Sequence, residues 1–98
     1  MFTLPLPSLF QQKMITLLKN KDKEGFDILY DCYSNVTYGV GLHITEDEEL
    51  AKQIVENTFI FIWNNIDKYN PSQTSFDVWI FSIVRGQAST MNFLTQGL

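Results

Sequence analysis

The chain has 98 residues, of which 45% are hydrophobic, so it can bury the core of one small domain and not of two. Its one cysteine, Cys32, excludes an intramolecular disulfide and fits a reducing compartment, and we expect this small apolar residue to be buried. The net charge is −4 and Arg85 is the one arginine, so any contact with nucleic acid must depend on a local patch or on a larger partner.

The N-terminal part of the chain predicts a first helix. Residues 1–10 have no basic leader and contain two prolines, so we expect neither a signal peptide nor a membrane anchor, and a cytoplasmic protein. Ser8 and Gln11 have the spacing of a capping box, which predicts a helix through about Lys19. Its predicted apolar stripe comprises Leu9, Phe10, Met14, Leu17 and Leu18.

A second helix is predicted to begin after Asp22, which has a side chain suited to an N-cap. The apolar residues that follow recur at close to the helical period: Phe26, Leu29, Tyr30, Tyr33, Val36 or Thr37, Val40 and Ile44. Gly39 and Gly41 each weaken such a helix by roughly 1 kcal/mol relative to alanine. We attribute them to the close approach of a neighbouring backbone rather than to a hinge.

A third helix is predicted to begin at a second capping box, Thr45 with Glu48, because the acids at 46–49 suit the positive end of a helix. It is expected to run to about Lys68, since Pro71 disfavours a helical residue before it. The predicted buried face comprises Ile54, Val55, Phe59, Ile62, Ile66 and Tyr69.

A short polar loop precedes a fourth predicted helix, which Ser75 can cap. The stripe of this helix comprises Phe76, Trp79, Ile80, Ile83, Val84, Ala88 and Met91, and we expect Phe76 and Trp79 to belong to the core. No segment alternates for long like a strand. The predicted fold class is therefore all-α, a compact bundle of about four helices in a single domain spanning 1–98, with no second DNA-binding domain.

The most specific signal is the order of motifs in the second half of the chain. An amphipathic helix carries Phe59 and Trp63, the dipeptide Asn70-Pro71 follows, and the sequence SFDVWI begins at Ser75. Together with FDILYDCY at 26–33, this order resembles region 2 of bacterial sigma factors, most closely the extracytoplasmic-function group, over about residues 20–92. The resemblance implies a sigma region 2-like fold that binds RNA polymerase core and helps to recognise and melt the −10 promoter element.

The resemblance implies that the third helix docks on the clamp helices of the largest polymerase subunit. Carried over by position, the docking residues are Asp47, Glu48, Ala51, Lys52, Gln53, Glu56 and Asn57. Gln53 stands where the family has an acid and Glu56 where it has a glutamine, so a carboxylate remains about one helical turn away. Lys52 also replaces a common acid. We expect docking in an altered form.

The resemblance further implies that the loop and the fourth helix bind DNA. In the family, the loop captures a base flipped from the non-template strand of the −10 element, which requires polar groups at the base edge. The candidates are Asn70, Ser72, Gln73, Thr74 and Ser75 in the loop, and Ser82, Arg85 and Gln87 on the helix. Arg85 matches a family arginine that can meet a phosphate, but Gly86 replaces an asparagine and the basic tail is missing.

Phe61 occupies a position that the family usually gives to a charged residue, and two interpretations remain open. It either packs beneath the N-terminal helix or forms an exposed patch for a partner, including a second copy of this chain. An anti-sigma factor is a further partner that the resemblance implies. The alternative function is a helical interaction module that has lost promoter binding, which the acidic net charge and the altered Gln53 and Glu56 favour.

No motif in the sequence indicates an enzyme. His43 lies near Glu46 and Asp47, but no second histidine or cysteine stands at ligand spacing, so we expect no metal site. There is no glycine-rich phosphate loop or nucleophile motif, and we therefore expect neither catalysis nor a cofactor.

Overall fold

The computed structural model describes residues 9–96, with side chains from residue 9 to residue 91. This part of the chain forms four α-helices, α1 (Leu9–Lys19), α2 (Lys23–Thr45), α3 (Glu48–Asn65) and α4 (Phe76–Gln96), and a short 3-10 helix (Ile66–Lys68) that directly follows α3. No strand occurs among these residues. The predicted all-α bundle of four helices is therefore confirmed. The predicted capping residue Ser8 lies outside the described residues.

The core lies around α2, which packs against each of the other three helices. It contains Met14, Leu18, Leu29, Ile54, Val55, Phe59, Ile62, Ile66, Tyr69, Phe76, Ile80, Val84 and Ala88. The predicted faces of α3 and α4 are confirmed, since all six α3-side residues are buried and Trp79, Ile83 and Met91 pack against the core from α4. No helix among the described residues has the length and apolarity needed to cross a bilayer.

The predicted stripe of α1 is only partly right. Met14 and Leu18 are buried, whereas Leu9 is 84% and Phe10 58% exposed. Both exposed residues lie in the first turn of α1, and the buried residues of this helix are Met14 and Leu18. A helical period identifies an apolar face, but burial also requires a neighbouring element at each position along that face.

The stripe of α2 is narrower than predicted. Thr37 is buried and Val36 is exposed, and Tyr30 is also exposed. Cys32 is exposed, contrary to expectation. The buried residues of α2 recur at multiples of four positions, as Leu29 and Thr37 do, and Cys32 does not belong to this series.

The start of α3 differs from the prediction because Asp47, and not Thr45, is its N-cap. The Oδ1 atom of Asp47 accepts hydrogen bonds from the amides of Glu49 (2.9 Å) and Leu50 (3.1 Å). Thr45 remains in α2, where its hydroxyl donates to the carbonyl of Gly41 at 2.8 Å. Glu46 ends α2 in a left-handed conformation with φ of 55°. The predicted cap of α2 is correct, since Asp22 Oδ1 accepts from the amide of Glu24 at 2.9 Å.

The glycines of α2 have different environments. A Cβ atom at Gly25 would lie 2.8 Å from the backbone nitrogen of Leu18, so the α1–α2 corner requires a glycine there. At Gly41 a Cβ would lie 3.3 Å from Cδ1 of Ile54, which is a side chain and not the predicted backbone. A Cβ at Gly39 would meet no atom within 4 Å, so the prediction of a close approach is wrong there.

Candidate functional site

The exposed face of α3 carries nearly all the residues predicted to dock a partner. Asp47, Glu48, Lys52, Gln53, Glu56 and Asn57 are exposed. The altered pair, Gln53 and Glu56, is therefore accessible. Ala51 is the exception: it is 0% exposed, so its predicted contact with a partner is wrong. It precedes the buried Ile54 and Val55 by three and four residues, which places it on their face of the helix.

A groove between α2 and α3 extends this face. Its volume is about 390 Å³, and it is lined by Tyr30, Ser34, Asn35, Tyr38, Lys52, Val55 and Glu56. The sequence did not predict the α2 wall as part of a site, because its tyrosines lie in or beside the apolar stripe and such a stripe indicates core. Their accessible rings and polar ends fit a surface that mixes apolar contact with hydrogen bonding.

The charges on this face are unequally available to a partner. Lys52 Nζ lies 3.7 Å from Glu49 Oε1, an exposed pair that contributes well under about 1 kcal/mol. Asp47 already uses Oδ1 to cap α3. Glu48 and Glu56 are exposed and make no ion pair with any described residue. Their carboxylates are therefore the groups on this face most open to a cation from a partner.

The loop before α4 folds into a corner through its own hydrogen bonds. Asn70 Oδ1 accepts from the backbone nitrogen of Ser72 (3.0 Å) and from its hydroxyl (2.7 Å), as in an Asx turn. The carbonyl of Asn70 accepts from the amides of Gln73 (3.0 Å) and Thr74 (3.3 Å). The corner is thus ordered before any ligand binds.

Both ends of the corner are also fixed. The Tyr69 hydroxyl donates to the Thr74 carbonyl at 3.1 Å, and burial raises the pKa of Tyr69, so this donor stays protonated at neutral pH. Ser75 Oγ accepts from the Val78 amide at 3.2 Å, which confirms Ser75 as the cap of α4. Among the five predicted loop residues, Gln73 has an exposed side chain that takes no part in these bonds.

An aromatic cluster lies beneath the corner. The ring centroids of Tyr69 and Phe76 are 5.3 Å apart, and those of Tyr69 and Trp79 are 5.2 Å apart. Phe76 is fully buried and Trp79 half-buried, so the structure places Phe76 in the core, as predicted, and leaves part of Trp79 open beside the loop.

The predicted residues on α4 lie farther along its surface. Ser82 and Arg85 are exposed, Gln87 is half-buried, and the Ser82 hydroxyl donates to the Trp79 carbonyl at 2.7 Å. Arg85 lies about 14 Å along the helix axis from the first residue of α4. A Cβ at Gly86 would meet no atom within 4 Å, so this part of the helix is open.

A polar network beside the first turn of α4 was not predicted from the sequence. The Tyr33 hydroxyl donates to Asp77 Oδ1 at 2.5 Å. Gln11 Nε2 donates to the Tyr33 hydroxyl at 2.9 Å and lies 3.3 Å from Asp77 Oδ1. Burial, and then the hydrogen bond to Asp77, raise the pKa of Tyr33 well above its ordinary value. The network joins α1, α2 and α4.

Phe61 is 39% and the adjacent Ile60 is 55% exposed, so both leave apolar surface accessible on α3. A second groove of about 370 Å³ lies beside Ile60 and is lined by Lys21, Lys23, Phe26, Ile60 and Trp63. Elsewhere, no group of three or more His, Cys, Asp or Glu residues in the described part of the chain could hold a metal ion.

Comparison with known proteins identifies a family. A protein-family model described as Sigma-70 region 2 matches residues 29–91, which is more than half of the chain. The matched range contains the α3 face, the corner and Arg85, and α1 precedes it. No curated protein and no solved structure matches this chain.

Proposed function

This chain belongs to the sigma-70 region 2 family, and we propose that it binds RNA polymerase core and helps to recognise and melt the −10 promoter element, as a divergent member of the extracytoplasmic-function group. Members of the family in general bind polymerase core and recognise the −10 element. The observation that carries the proposal is the exposed α3 face followed, after the 3-10 helix, by an ordered polar corner, both within the matched range. The chain would work in the cytoplasm, by binding alone.

The α3 face supports docking on the clamp helices of the largest polymerase subunit. Its exposed residues are Asp47, Glu48, Lys52, Gln53, Glu56 and Asn57. Glu56 is an accessible acceptor for an arginine near the centre of the α3 face, and a charge-assisted hydrogen bond is stronger than a neutral one. The α2 wall of the groove, with Tyr30 and Tyr38, provides apolar contact next to it.

The corner supports capture of a base from the non-template strand. The Gln73 amide can both donate to and accept from a base edge, while Asn70, Ser72, Thr74 and Ser75 hold the loop that presents it. Ser82, Arg85 and Gln87 would contact the strand along α4. With a single arginine on this surface, much of the affinity for DNA must come from the polymerase.

Polymerase binding is tested with purified core and the native chain. Glu56→Lys should weaken binding by about tenfold or more, because a charged hydrogen bond is replaced by repulsion. Asp67→Lys is the matched control, since Asp67 is exposed in the 3-10 helix and lies off the α3 face. Failure of native core binding at micromolar concentrations would contradict the proposal.

A second candidate function is an interaction module that has kept the fold and lost promoter binding. The exposed Phe61 and Ile60, with the net charge of −4, favour it. Its partner would be an anti-sigma factor or a second copy of this chain. Light scattering of the native chain and of Phe61→Glu tests the second copy: a dimer that Phe61→Glu dissociates supports it, and identical monomer masses exclude it.

A further inference from the structure

We infer that Gln11, Tyr33 and Asp77 position the corner at residues 70–75 for a single DNA strand, an inference that rests on the function proposed above. The three side chains come from three helices and meet beside the first turn of α4, one residue after Phe76. None of them needs to touch DNA. Their effect on binding would act through the shape of the corner.

The network connects to the corner through a continuous series of contacts. The Tyr33 ring packs edge-on against Phe76, with centroids 5.8 Å apart, and Phe76 packs in the same manner against Tyr69 at 5.3 Å. The Tyr69 hydroxyl then donates to the Thr74 carbonyl. Asp77 holds the other end of the loop from the α4 side. Both ends of the corner are therefore fixed to α2.

The corner needs such support because its own hydrogen bonds are exposed. The bonds from Ser72 to Asn70 are accessible to water, and an exposed bond of this kind contributes little net stability. Fixing the backbone of one residue costs about 1–2 kcal/mol, and a loop that is ordered beforehand does not lose this free energy when it binds. The hydrogen bond from Tyr33 to Asp77 is partly buried, so water competes with it less than with the exposed hydrogen bonds of the loop.

The Gln11 contribution comes from outside the residues that match the family. Gln11 lies in α1, outside the matched residues 29–91, and its amide reaches both Tyr33 and Asp77. The first helix thereby adds a third point of attachment to a corner that the family match places at the DNA. On this inference, α1 both covers the core and helps to position the loop.

The experiment compares Tyr33→Phe with the native chain in three measurements. These are affinity for a −10-like single strand at fixed low salt, affinity for polymerase core, and hydrogen exchange of the Gln73 and Thr74 amides, which donate to the Asn70 carbonyl. Loss of the hydroxyl should weaken DNA binding by about fivefold and accelerate exchange of both amides, with core binding unchanged. Cys32→Ser is the control on the same helix, since Cys32 is exposed and lies outside both the groove and the network, and it should leave DNA binding and core binding unchanged.

Each outcome decides the inference. If Tyr33→Phe keeps native DNA affinity and native hydrogen exchange, the positioning role is overturned and the proposed function is not. An equal loss of DNA binding and core binding would also overturn the positioning role, because it would indicate a general loss of structure. A native chain that does not bind the strand would overturn the proposed DNA function as well. Gln11→Met provides the same test if Tyr33→Phe does not fold, with an expected weakening of about twofold.

Discussion

Lys21 holds its ammonium group 5.0 Å from the centroid of the Trp63 ring and donates a hydrogen bond to the Trp63 carbonyl. The contact joins the α1–α2 corner to the C-terminal part of α3. Lys21 adopts a left-handed backbone conformation with φ of 59°, which usually favours glycine. The contact with Trp63 compensates for an unfavourable backbone.

Replacement of Lys21 separates these two effects. Lys21→Ala keeps the left-handed strain and loses the Trp63 contacts, so we expect a decrease of about 1 kcal/mol in the free energy of unfolding. Lys21→Gly loses the same contacts but relieves the strain, and should be close to neutral. Urea denaturation measures both. Equal losses for the two variants would show that the backbone conformation is not strained.

Thr58 offers a stabilising substitution. It is 0% exposed, and its hydroxyl has no hydrogen-bond partner among the described residues. Thr58→Val keeps the shape and removes an unsatisfied polar group, so the free energy of unfolding should increase by about 1 kcal/mol. Thr45→Val is the control with the opposite expected sign, because the Thr45 hydroxyl donates to the Gly41 carbonyl. Urea denaturation measures both variants. If Thr58→Val is less stable than the native chain, the Thr58 hydroxyl has a hydrogen-bond partner and the expectation is wrong.

Asp47 caps α3, and its charge can be tested separately from this capping role. Asp47→Ala removes the α3 cap and should lower the free energy of unfolding by about 1 kcal/mol. Asp47→Asn keeps the capping oxygen and removes the charge, so it should retain native stability. If the carboxylate also contributes to docking, both variants weaken binding to polymerase core, and Asp47→Asn does so without a loss of stability. Native core affinity in a stable Asp47→Asn variant would confine Asp47 to capping.

Arg85 is expected to contribute one phosphate contact. In single-strand binding, each neutralised phosphate adds about 0.7 to the negative slope of log affinity against log salt concentration. Arg85→Gln should therefore reduce the slope by about 0.7 and weaken binding to all strands equally. Lys23→Gln is the control, since Lys23 pairs with Asp27 at 3.5 Å. An unchanged slope in Arg85→Gln would place Arg85 away from the strand.

Tyr33 should lower the free energy of unfolding as the pH rises into the alkaline range. Because its pKa is raised in the folded state, the folded chain holds this proton more tightly than the unfolded chain does. The resulting stabilisation is complete below the unfolded pKa of about 10 and is lost as the pH rises above it, at up to about 1.4 kcal/mol per pH unit. Tyr33→Phe should lose stability less steeply above a pH of about 10. Parallel curves for the two chains in urea titrations would contradict this expectation.

The helices that were predicted best are those with neighbours along their whole buried face. In α3 and α4 the helical period alone identifies the core, because α2 packs against both helices and they pack against each other. In α1 the same reasoning fails at Leu9 and Phe10, which have the right period but remain exposed. The period describes the side chains of one helix and contains no information on where its neighbours end.

The sequence predictions for the candidate site fail where two residues can fill the same role, or where a contact joins residues that are far apart in the sequence. Thr45 and Asp47 are both good caps, and the choice between them depends on where α2 ends. Ala51 matches a family surface position, yet its register with Ile54 buries it. The contact between Tyr33 and Asp77 spans 44 positions, and no local pattern marks it.

Gly86 stands beside Arg85 with empty space where a side chain would begin. A larger residue there would meet no steric obstacle, and most residues favour a helix by up to about 1 kcal/mol over glycine. Under the proposed function, Gly86→Arg would therefore place a second cation beside Arg85 for a nucleic-acid phosphate and also raise the free energy of unfolding.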